Sequence, residues 1–275
     1  MAPRKNLFFT LPGELRTKIY DYVFGQYRVE IIRGKWTVHS NQKQPVYYRL
    51  YHRNLRLRNL DNYGLIDSCS KSPPMALVRT SSQIWRETLL YVYSNTHFVF
   101  RSSKVIKMFL NRVSEDAQRE IRHIELDHTM YYEPELTEHR RYKLVSDVGW
   151  YSTCFRMSLA FNGLKSLHLD LDIGDWPIHL ETREQWALPY RFFKNLDYVK
   201  VHLTTSFRIG WFGRKFRNPQ LWEAARQLEK EMMDETAWQI KEHERIARNL
   251  SSNMRYEERL KDLDVIQWDT DDHFS

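Results

Sequence analysis

The sequence predicts an α+β protein. Its front is helical and carries an inserted β-hairpin, a short parallel sheet of βα repeats follows, and a long C-terminal helix closes the chain. Three observations carry this. Apolar residues recur with helical spacing near the front, at Leu15, Ile19, Tyr22 and Val23. Three central segments, 121–127, 164–170 and 196–202, each alternate apolar with polar residues and are separated by helical stretches. From Leu221 onward the chain contains no Gly or Pro. The divisions fall at 1–101, 102–217 and 218–275, and a chain of 275 residues can fold them as one globular unit.

The elements follow in order. Thr10 or Pro12 starts the first helix, with Glu14 near its positive end and Gly25 as its stop. Residues 27–32 and 35–39 read as a hairpin turning at Gly34. Residues 45–58 alternate loosely, and 61–74 is a loop rich in Asp, Asn, Gly, Ser and Pro. A second helix spans about 75–93, and 96–101 reads as a strand through Phe98 and Phe100. Ser102-Ser103 caps a helix over 105–113, and Ser114 caps another that opens on Glu115 and Asp116. Helices over 142–161 and 182–193 join the three repeat strands, giving right-handed crossovers. The unit resembles a leucine-rich repeat stretched beyond its usual period. Asn218-Pro219 starts one long helix that Ser251-Ser252-Asn253 interrupts before an acidic end.

Composition limits the function. Aromatic residues make up 14% of the chain, too many for a disordered one. Two cysteines, Cys69 and Cys154, cannot build a disulfide framework or a four-thiolate zinc site. No apolar run reaches the roughly 20 residues of a membrane span, and Thr10, Pro12 and Glu14 break the start as a signal peptide. The expectation is a cytoplasmic or nuclear protein without a membrane partner. Net charge is +7, unevenly spread: residues 1–60 hold 12 Lys and Arg against 3 Asp and Glu, whereas 218–275 hold 8 against 14. Such a split marks either a surface for an acidic partner or two ends that face each other.

No nucleophile elbow, phosphate-binding glycine loop, zinc-protease motif or dinucleotide fingerprint is present. The expectation is therefore a non-enzymatic protein with no cofactor and no metal. If Ile124, Leu167 and Val199 align, Glu125, His168 and Lys200 form one row on the other face. Asp127, Asp170 and His202 form the next, extended by Asp172 and Thr204. These rows read as a solvated polar ladder or as a partner-binding face, and a histidine between carboxylates is also a weak metal pattern. A second candidate surface interleaves arginines with aromatics at Arg28, Arg33, Lys35, Trp36, Arg49, Tyr51, Arg53, Arg56 and Arg58. That is a composition for single-stranded nucleic acid, or for a basic hairpin packed on the acidic C-terminal helix. Cys154, between apolar residues of a helix, reads as buried and inert.

Two segments carry a family resemblance. Leu11-Pro12-Gly13-Glu14-Leu15 before an amphipathic helix resembles the opening of an F-box. Residues 76–88, with Arg79-Thr80 and Gln83-Ile84, followed by Tyr93-Ser94-Asn95-Thr96-His97-Phe98, resemble its closing helix as found in F-box-like proteins of filamentous fungi. The resemblance covers about 7–24 and 76–127, with residues 25–75 inserted between the two segments. It implies a substrate receptor of a cullin-type ubiquitin ligase. Leu11, Pro12, Leu15, Ile19 and Val23 would dock on the adaptor subunit while the repeat strands hold the substrate. The inserted residues allow a different reading, in which the same apolar stripe is core. Exposure or burial of Leu11, Leu15 and Ile19 separates the two.

Overall fold

The computed structural model describes residues 7–24, 27–33, 46–53, 63–65, 80–130, 137–173, 180–205, 219–248 and 251. The protein is a mixed helix-and-strand fold on a 7-stranded sheet. A 3-10 turn, Leu7–Thr10, leads into α1, Gly13–Phe24. Strands β1, Tyr27–Arg33, β2, Val46–Arg53, and β3, Tyr63–Leu65, follow. Next come α2, Ser82–Asn95, and β4, His97–Phe100. Two short helices, α3, Ser103–Leu110, and α4, Glu115–Arg119, precede β5, His123–Thr129. Helix α5, Thr137–Ala160, crosses to β6, Ser166–Ile173, and β7, Tyr198–Thr205, completes the sheet. Helix α6, Pro219–Met232, and a further helix, α7, over residues 235–248, end the described chain.

The strand order is β3-β2-β1-β4-β5-β6-β7. Strands β1, β4, β5, β6 and β7 run parallel, and β2 and β3 extend the β1 edge antiparallel. Ile124, Leu167 and Val199 stand in line, as the repeat pattern predicts. With a side-chain period of two, one face is then apolar: Phe98, Phe100, Ile124, Leu126, Leu167, Leu169, Leu171, Val199 and Val201 are all buried. Helix α3 covers it with Ile106 and Phe109, α5 with Trp150, Cys154 and Met157, and α6 with Leu221, Leu228 and Met232. A smaller cluster holds α1 against α2 through Tyr20, Phe24 and Ile84. Tyr93 of α2 stacks on Phe98 and links the two clusters.

Four expectations change. The hairpin does not pair 27–32 with 35–39. Residues Arg28 to Ile31 are bonded to β2 on one side and to β4 on the other, so both edges of β1 are taken. The 35–39 segment itself lies outside the described residues. The stretch 182–193 is not an α-helix; it is a run of turns ending in a 3-10 segment, Leu188–Phe192, with Pro189 in its first turn.

The C-terminal helix is not continuous. Met233 forms a bridge with Leu196, and Asp234 Oδ2 accepts from Thr236 N at 3.0 Å and Ala237 N at 3.3 Å, which starts a new helix. Finally, the basic front and the acidic back do not meet among the described residues. Strands β1 and β2 lie toward one edge of the sheet, whereas α6 packs on β7 at the other. The acids of the terminal helices pair locally, Glu229 with Lys241 and Glu242 with Arg226 and Arg245.

Candidate functional site

The first candidate surface is the outer face of α1. Pro12 offers its carbonyl to Leu15 N and Arg16 N, so the helix begins directly after it. What turns inward is a polar-tipped row. Arg16 grips Glu87 of α2 with two parallel bonds, Nε to Oε2 at 3.0 Å and Nη2 to Oε1 at 3.1 Å. Tyr20 OH donates to the same carboxylate at 2.9 Å, and its ring contacts Phe8, Phe24 and Tyr91. Burial pushes the Tyr20 hydroxyl up to about 12, while the Arg16 bond holds Glu87 below the usual carboxylate range.

Because Arg16, Tyr20 and Phe24 point at α2, the apolar stripe points away. Leu15 is 45% exposed, Ile19 37% and Tyr22 92%. Pro12 is exposed and Leu11 half-buried. Val23 is the exception, since it packs against the inner cluster with Tyr20 and Phe24. The reading of this stripe as core therefore fails for Leu15 and Ile19 and holds in part for Val23. Sequence periodicity detected the stripe but not its direction, because the inward row contains an arginine and a tyrosine that a hydrophobic pattern discounts.

The second candidate surface is the polar face of the sheet, where the register places Glu125, His168 and Lys200 in one row. Asp127, Asp170 and His202 form the next, with Asp172 beside Thr204. The rows continue into the strands before them, which the repeat pattern did not include. Arg28 of β1 reaches across β4 to Glu125, with Nε 3.0 Å from Oε2. Arg101 lies 3.2 Å from Glu30 and 3.7 Å from Asp127. His97 stacks on His123 with ring centroids 4.5 Å apart.

Burial on this face falls off along the sheet. Glu30 and Val99 are buried, Glu125 and His168 half-buried, and Asp170 and His202 exposed. His168 Nδ1 has no hydrogen-bond partner among the described residues and lies 4.0 Å from Glu125 Oε2. Burial lowers the pKa of His168 although Glu125 opposes it. Burial also raises that of Asp127, against the pull of Arg101 and with the push of Asp170. At the open end, His202 Nδ1 sits 3.1 Å from Asp170 Oδ1, and Thr204 donates to Asp172 at 3.3 Å. Among the described residues no group of three or more His, Cys, Asp or Glu is placed to hold a metal ion.

The basic aromatic segment is only partly visible. Arg28 is committed to Glu125. The backbone of Arg33, Arg49, Tyr51 and Arg53 lies in β1 and β2. Lys35, Trp36, Arg56 and Arg58 lie outside the described residues. Cys154 is buried in the main core, and burial pushes its thiol well up, in keeping with an inert side chain; Cys69 is outside the described residues. No helix among the described residues is long and apolar enough to cross a membrane.

Fold and surfaces together define an α+β protein whose mixed sheet is clad by helices on one face and polar on the other. Residues 2–202 match the family described as Domain of unknown function (DUF7730), and the chain belongs to that family. No curated protein and no solved structure matches it.

Proposed function

We propose that this chain is a non-enzymatic protein-interaction module, the substrate receptor of a cullin-type ubiquitin ligase. The observation that carries the reading is the orientation of α1. It is clamped to α2 through Arg16, Tyr20 and Phe24, so Leu15 and Ile19 remain open beside Leu11 and Pro12. A rigid helix with an uncovered apolar face suits docking into a groove of an adaptor subunit. The polar sheet face, open at Asp170 and His202, is then the surface that holds a substrate by charge-assisted hydrogen bonds.

The test is capture of purified ligase adaptor by the full chain. Wild type retains the adaptor, and a Leu15→Asp/Ile19→Asp double variant loses at least about tenfold in affinity, because two anchors of a small interface are gone. Both residues are exposed, so the melting temperature of the variant stays within a few degrees of wild type. Asp170→Ala/His202→Ala leaves adaptor capture intact. A folded wild-type chain that does not retain the adaptor overturns the proposal.

A further inference from the structure

Helix α5 is amphipathic on two sides. Trp150, Cys154 and Met157 face the sheet. On the other side Leu144, Val145, Val148, Tyr151, Phe155 and Leu159 are between 45% and 65% exposed. Among the described residues the cover on this stripe comes from Phe192, which meets Tyr151 and Phe155 edge-on at 4.9 and 5.1 Å. Leu144, Val148, Tyr151 and Phe155, which share one line of the helix, expose roughly 450 Å² on one molecule and about 900 Å² on two, the size of a weak, reversible protein contact.

From these features we infer that the stripe is covered by a second copy of this chain, with α5 packed antiparallel against its own mate. The positions Leu144, Val148, Tyr151 and Phe155 have spacings of four, three and four, which read the same in both directions. In an antiparallel pair of helices, Leu144 then faces the partner's Phe155 and Val148 faces the partner's Tyr151. Every layer sets an aliphatic side chain against an aromatic one, and the dyad falls between positions 149 and 150. Charge does not oppose the contact: Asp147 is the only charged residue between Leu144 and Phe155, and Lys143 pairs with it at 2.9 Å.

Sedimentation of the full chain between about 1 and 200 μM tests the inference. A concentration-dependent dimer is expected in the micromolar range for so small an interface. Leu144→Glu/Val148→Glu, at positions that are exposed in the monomer, should weaken it at least tenfold while circular dichroism and melting stay unchanged. The orientation is tested in a Cys69→Ser background with a thiol cross-linker of short reach. Val148→Cys should cross-link to its own copy. Leu144→Cys should not, because two such positions lie roughly 16 Å apart along an antiparallel pair at 1.5 Å per residue. A monomer throughout the range, a dimer indifferent to Leu144→Glu/Val148→Glu, or cross-linking through Leu144→Cys each overturns the proposal.

Discussion

Two residues illustrate how position overrides chemistry. His128 continues the alternation of Ile124 and Leu126, so it falls on the apolar face although histidine is a polar residue. It lies flat on Trp150, with ring centroids 3.9 Å apart, and burial lowers its pKa to about 4. The folded state therefore holds this ring neutral, whereas the unfolded chain binds a proton near pH 6.5. Stability from His128 is complete above pH 6.5 and is lost as pH falls from there toward 4, by about 3 kcal/mol in all. Urea melts across that range should show this slope, and a His128→Phe variant should flatten it. His168, whose pKa burial also lowers, contributes a slope of the same sign.

Gly163 is required for another reason. A Cβ there would stand 2.3 Å from the carbonyl oxygen of Arg119 and 2.0 Å from Arg122 Nη1, which bonds the Gly163 carbonyl. Since the nearer obstacle can swing but the backbone cannot, Gly163→Ala should lose about 2 to 4 kcal/mol on chemical denaturation. Neither site is marked in the sequence, because stacking and close approach depend on what α5 and the α4–β5 turn bring together.

At the scale of elements, alternation proved the strongest signal. The three repeat strands and their register were legible because each has apolar residues at alternate positions and one strand sits next to the following one. Ser114 caps α4 through its side chain, as the sequence predicts, whereas Ser81 caps α2, which starts at Ser82 and not at about residue 75. The break between α6 and α7 is not legible in the sequence, because no Gly or Pro marks it and Lys230 and Asp234 have the spacing of a helical ion pair. Asp234 instead caps α7 and ties its own amide to the Leu196 carbonyl at 3.0 Å. Asp234→Ala should therefore destabilise the chain by about 1 kcal/mol, measured by thermal melting, rather than by the few tenths expected for a lost surface pair. The hairpin reading finds its first arm, β1, but not the partners of that arm, for a topological reason. Pairing partners of β1 lie in β2 and in β4, on both sides, and local sequence records neither distance.

Across the whole molecule, the charges of the described residues pair locally, and the basic front and acidic back do not meet among those residues. Arg28 and Arg101 find acids within the sheet, while Glu229, Glu231 and Glu242 find bases nearby at Lys241, Arg191, Arg226 and Arg245. Local, partly buried pairs are screened weakly. Raising salt from 50 to 500 mM should thus change unfolding free energy by less than about 1 kcal/mol, read from urea midpoints. Had the two ends been clasped together, the loss would be larger. Net charge identified an imbalance, and among the described residues the strand order sets β1 and β2 apart from α6.

The order of the strands also sets an order of assembly. Strands β4, β5, β6 and β7 are neighbours in sequence as well as in space, so during synthesis each finds its mate already made. Strand β1 does not. Arg28 pairs with His97, so β1 waits about 70 residues for its parallel neighbour and has only β2 and β3 for company until then. Val29 and Ile31 therefore gain their parallel partners, Phe98 and Phe100, only after that interval.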